Sequence, residues 1–87
     1  MESPVNPIAR SPGQVGNLIR TFRTSKGMSQ TQLAERSGLR QELISRIEGG
    51  HPGAKISSIS ALLAALDLEM TIGPRSKSSA ADIEDIF

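Results

Sequence analysis

The sequence predicts an all-α domain of four helices with a short C-terminal strand, and three observations carry that prediction. Aromatic residues are nearly absent, with two Phe and no Trp or Tyr in 87 residues. The core must therefore be aliphatic, built from Leu, Ile and Ala, which favours helices over a small β-sandwich. Apolar residues then recur at helical spacing in successive short stretches, and glycine or capping residues separate those stretches. One domain is the natural expectation at this length. A domain so small buries a modest fraction of its unfolded surface and gains stability from a partner subunit.

Residues 1–13, MESPVNPIARSPG, hold three prolines and a glycine without periodicity and read as a flexible arm, with Ser11-Pro12 leading into the first helix. Val15, Leu18, Ile19 and Phe22 then fall at i, i+3, i+4 and i+7, one stripe of a helix ending near Gly27. Ser29 has the chemistry of an N-cap. The helix it opens, roughly Gln30 to Ser37, buries Leu33 and Ala34 and stops at Gly38. A third helix starts near Arg40, turns Leu43, Ile44 and Ile47 inward, and runs out at Gly49-Gly50. After the turn HPGA, Ser57 or Ser58 opens a fourth helix with Ile59, Leu62, Leu63 and Leu66 on its apolar side.

The period then changes. Leu68, Met70 and Ile72 alternate with Glu69 and Thr71, which reads as a strand closed by Gly73-Pro74. One strand cannot satisfy its own backbone groups, so it either pairs with its twin from a second subunit or is not a strand. Pairing across a homodimer is the expectation. The domain is thus set at residues 14–73, followed by a flexible tail over residues 74–87. In that tail a Ser/Lys linker leads to DIEDIF, where Ile83, Ile86 and Phe87 sit among carboxylates. Segments of this kind fold onto partners, although a frayed terminus kept soluble by carboxylates has the same composition.

Two short helices joined by a tight glycine turn cross steeply only if the side chains at the crossing are small. Ala34 supplies the small contact, Gly38 the turn, and Leu33, Leu39, Ile44 and Ile47 fill the wedge. That is a helix-turn-helix, in which the second helix is presented to a DNA major groove. Its outer face carries Arg40, Gln41, Glu42, Ser45 and Arg46. Arg forks onto guanine O6/N7, Gln matches adenine N6/N7, and Glu accepts from cytosine N4. Without the apolar skeleton these residue types would be read as a solvated surface. The charge distribution agrees with an anionic partner. The net charge is only +1, but Arg20, Arg23, Lys26, Arg36, Arg40, Arg46 and Lys55 stand against Glu35, Glu42 and Glu48 between Val15 and Leu66.

The stretch GMSQTQLAERSGLRQELISRIEGG resembles the helix-turn-helix of the Xre/Cro/phage-repressor family. The likeness covers about residues 15–67, with Ser29-Gln30, Leu33-Ala34, Gly38, Ile44, Ile47 and Glu48 in step. It implies a lambda-repressor-like fold and a role for each matching residue. Ser29 and Gln30, at the start of the second helix, would meet phosphate, a contact that orients without reading sequence. Gln41 and Glu42 would sit deepest in the groove, Arg40 would reach a base or the backbone, and Arg46, a turn further on, a base edge near the half-site boundary. Glu42 would have to avoid phosphates or pair with a neighbour such as Arg46. Arg23 and Glu48 would form a partly buried ion pair bracing the first helix on the third. Lys55 suits a phosphate or plain solvent equally, and His51 beside Pro52 reads as a turn residue.

Further on, LAALDLEMTIGP is similar to the stretch of HipB-type antitoxins in which a short strand pairs across the dimer. That resemblance implies an autorepressor of its own operon whose tail engages a HipA-like kinase toxin. A stand-alone Xre-type regulator is the alternative. So is an adaptor, in which losing residues 83–87 abolishes activity and alanine at Gln41 or Arg46 does not.

The remaining classes fit poorly. One His, no Cys, no glycine-rich phosphate loop and no converging carboxylates leave little for catalysis, a metal or another cofactor, or a small-molecule substrate. There is no disulfide framework, and no apolar run approaches the ~18 residues of a membrane span. A soluble cytoplasmic protein is expected.

Overall fold

A computed structural model describes residues 7–75. Four helices follow one another: α1 (Pro12–Ser25), α2 (Gln30–Ser37), α3 (Gln41–Glu48) and α4 (Ile56–Ala65). The start of the arm, and Ile83, Ile86 and Phe87 of the tail, lie outside the described residues. None of the described helices is long and apolar enough to cross a membrane.

Local chemistry sets the helix ends. Ser11 caps α1, its Oγ accepting from the Gln14 N–H at 3.1 Å, with Pro12 in the first turn where a missing N–H costs nothing. Ser29 and Gln32 form a reciprocal capping box on α2: each side chain accepts from the other's backbone N–H, at 3.0 and 2.8 Å. The helices α1, α3 and α4 all end in the same way. A residue at positive φ follows the last turn, and the next N–H reaches back to the third-last helical carbonyl. These bonds run from Met28 to Arg23, from His51 to Arg46 and from Leu68 to Leu63, at 3.1, 3.1 and 2.7 Å. The positive-φ positions are Gly27, Gly50 and Asp67.

The fourth helix starts earlier than expected. Lys55, in extended conformation, is its N-cap, and neither Ser57 nor Ser58 opens it; both lie in the first turn. Lys55 offers no side-chain cap, and its carbonyl accepts the Ile59 N–H at 3.1 Å. A search for a capping hydroxyl therefore misplaces the boundary.

Ile19, Leu33, Ile44, Ile47, Leu62 and Leu66, with Met28 at the edge, form the buried core. The helix α3 packs against both α1 and α2, and α2 also packs against α4. The crossing of α1 over the end of α3 depends on Gly16. A Cβ there would lie 2.1 Å from the Ile47 carbonyl oxygen and 2.9 Å from that of Glu48. Only a residue without a side chain permits this approach.

Residues 68–75 carry no regular secondary structure in the single chain. A ladder requires a second strand, and among the described residues no backbone hydrogen bond joins residues 69–72 to another segment. Leu68 is half-buried against the core, while Met70 and Ile72 are exposed.

Candidate nucleic-acid interface

The face of α3 opposite Ile44 and Ile47 carries Gln41, Glu42, Ser45 and Arg46, all exposed, with Arg40 exposed as the N-cap. The turn before α3 is short because Gly38 ends α2 at φ +79°, a left-handed conformation that side chains resist. Ser37 Oγ accepts from the Leu39 N–H at 3.2 Å and steadies the link. Glu42 in the first turn and Arg46 in the last also complement the helix dipole, which is reason enough for those charges on α3 alone.

A continuous polar chain runs from the interior to this face. Arg23 donates through Nε to Glu48 Oε2 at 2.6 Å and through Nη2 to Glu48 Oε1 at 3.0 Å, a two-pronged pairing. Its Nη1 donates to the Met28 carbonyl at 2.7 Å. Both side chains are nearly enclosed, at 11% and 4% exposure. Glu48 Oε1 also accepts from Gln30 Nε2 at 3.0 Å, and Gln30 Oε1 accepts from Gln41 Nε2 at 2.6 Å.

The order of these contacts follows from donor and acceptor chemistry. An ionised carboxylate can only accept, so Gln30 must turn its amide nitrogen to Glu48 and its oxygen to Gln41. Gln41 must then donate. Its Oε1 and second amide hydrogen are not used in that contact, an acceptor beside a donor that complements adenine N6 and N7. The ion pair that clamps α1 to α3 thereby also sets which way the Gln41 amide is turned. Sequence reasoning gave Gln30 a phosphate; the structure brings it between Glu48 and Gln41, half-buried.

Ser29 is exposed, its oxygen engaged in the α2 cap and its hydroxyl hydrogen unassigned by that bond. Lys55 is exposed at the start of α4. Gly16 was missed in the sequence because its role lies in the distant Ile47 carbonyl of another helix, and only its place between Val15 and Leu18, beside the apolar stripe, could have hinted at a close approach.

Comparison with known proteins follows the same lines. The family model described as Helix-turn-helix matches residues 19–72. The Antitoxin HipB of Escherichia coli O6:H1 (strain CFT073) is 30% identical over 78 residues, spanning 87% of this chain and 83% of the relative. Among solved structures, the chain of a HipB–O4 20mer complex superposes with a TM-score of 0.77 at 27% identity, covering 82% of this chain and all of that one. A chain of a HipA–HipB–O2–O3 complex does so with a TM-score of 0.76 at 27% identity and the same coverage. The chain belongs to the helix-turn-helix family, with HipB antitoxins among its relatives.

Proposed function

We propose that the chain is a HipB-like antitoxin, a dimeric DNA-binding repressor of its own operon that also holds a HipA-like kinase toxin. The observation that carries the DNA reading is the chain Arg23–Glu48–Gln30–Gln41, which holds a base-matching amide in one orientation on an exposed helix. A merely solvated surface has no use for such an arrangement. The complexes of the HipB relatives with a 20mer and with HipA support the choice of both partners.

In this reading α3 enters the major groove. Arg40, Gln41, Glu42, Ser45 and Arg46 meet base edges, while Ser29, Gln30 and Lys55 meet phosphates and fix the docking angle. Gln30 can do this through the amide hydrogen it does not give to Glu48. Leu68, Met70 and Ile72 pair with their twins in a second copy, which sets two α3 helices on successive major grooves, about 34 Å apart. The domain is residues 14–73, between an arm at 1–13 and a tail at 74–87 whose Ile83, Ile86 and Phe87 reach the kinase. The protein works in the cytoplasm, without a cofactor, and does no chemistry of its own.

The antitoxin role is tested in cells that express the kinase encoded beside this gene. The full chain should restore growth, and the chain ending at Arg75 should not. Rescue by the truncated chain would contradict a tail-held toxin, and rescue by neither would leave a stand-alone regulator as the better description.

A further inference from the structure

We propose that the dimer strand pairs about Met70, so that the molecular two-fold passes between Met70 and the same residue of a second copy. The proposal rests on the strand-paired dimer put forward above and adds its register.

When two identical strands pair antiparallel, the two-fold is perpendicular to the sheet and passes through a directly opposed pair of residues. Those two residues are then the same position in each copy, so the register is named by one residue. The structure bounds the choice on both sides. Asp67 has φ +61°, and its N–H bonds to the Ala64 carbonyl at 3.1 Å as part of the α4 terminus, so extended pairing starts no earlier than Leu68. Gly73-Pro74 closes the other end, because proline has no N–H to give a ladder. Five residues remain, 68–72, and their midpoint is Met70. From 69 to 75 no backbone group bonds to another backbone group among the described residues, so the ladder positions are open.

The neighbouring registers fail on chemistry. Centring on Glu69 sets two carboxylates directly opposite each other and brings Asp67 into the ladder. Centring on Thr71 sets Leu68 against Pro74. Centring on Met70 opposes Leu68 to Ile72, Glu69 to Thr71 and Met70 to itself, so all apolar residues share one face. Leu68 already turns that face to its own core. Ile72, at 96% exposure, would then lie beside the partner's Leu68, over a groove lined by Val15, Leu18, Phe22, Ile59 and Leu63. The most exposed large apolar side chain among the described residues is thereby covered by the second copy.

The chain has no cysteine, so single introduced thiols report the register directly. Directly opposed residues have Cα atoms about 4.5–5.5 Å apart, within disulfide reach. With the two-fold at position 70, positions 69 and 71 lie roughly 8 Å from their own twins, beyond the ~7 Å limit. The full-length variants Glu69→Cys, Met70→Cys and Thr71→Cys are oxidised with diamide and run on non-reducing gels, and light scattering gives the mass of each under reducing conditions. Met70→Cys should form the covalent dimer at least ten times faster than the other two. Leu68→Cys mixed with Ile72→Cys should crosslink to each other and not to themselves, a check independent of any change at Met70. Fastest crosslinking at 69 or 71 in variants that remain dimers would overturn the register and leave the strand dimer standing. Monomers throughout, the unsubstituted chain included, would overturn the dimer and the register with it.

Discussion

At the scale of single residues, Glu48 bears on both stability and recognition. Replacing it with alanine leaves the Arg23 guanidinium enclosed without its counter-charge, which should destabilise the fold by about 3–5 kcal/mol in urea denaturation. The loss also frees the Gln30 amide to turn, so residual folded protein should discriminate less between bases at the Gln41 position. Gly16→Ala tests the α1–α3 approach. A Cβ 2.1 Å from the Ile47 oxygen forces the helices apart, and the cost should fall at the upper end of about 1–3 kcal/mol. A midpoint shift below the detection limit would mean that the helices do not approach so closely. Neither residue is legible in the same way. Arg23 and Glu48, paired in expectation through the resemblance, stand 2.6 Å apart. Gly16 offers only its place beside the apolar stripe as a signal, because its cause is the backbone of another helix.

At the scale of elements, α1, α3 and α4 were readable because each has an apolar stripe, and α2, with only Leu33 and Ala34 apolar, because Ser29 and Gly38 announce its two ends. The start of α4 was not, since a lysine backbone does the capping and no side chain marks it. The partnership of Gln30 with Glu48 was also hidden, because periodicity fixes which face a residue occupies and not what its amide meets. The proposed interface combines two kinds of contact, a base contact through Gln41 on α3 and a phosphate contact through Lys55 at the start of α4, and mutations should separate them. Gln41→Ala should weaken operator binding by about 5- to 150-fold, the worth of one bidentate base contact, and relax preference at one base pair. Lys55→Ala should weaken binding to all duplexes alike and reduce the slope of log K against log salt by about 0.9. Fluorescence anisotropy over a salt series with an operator and its point variants distinguishes the two patterns. A salt slope unchanged by Lys55→Ala would place that lysine in plain solvent.

At the scale of the whole molecule, a single domain with α3 of eight residues offers few base contacts, and specificity needs two copies on one duplex. Alternation at Leu68, Met70 and Ile72 suggested a strand, yet the described residues show no regular structure there, and in the reading proposed above the pairing falls to a second copy. In this reading the exposed face of α3 reads sequence. The measurement that tests it most directly is binding of the full chain to the duplex upstream of its own gene and to a scrambled duplex, at two salt concentrations. The full chain should bind as a dimer that prefers the native duplex by about 10³-fold or more, at both salts, with Gln41→Ala eroding that preference. Equal affinity for both duplexes, lost together as salt rises, would contradict it.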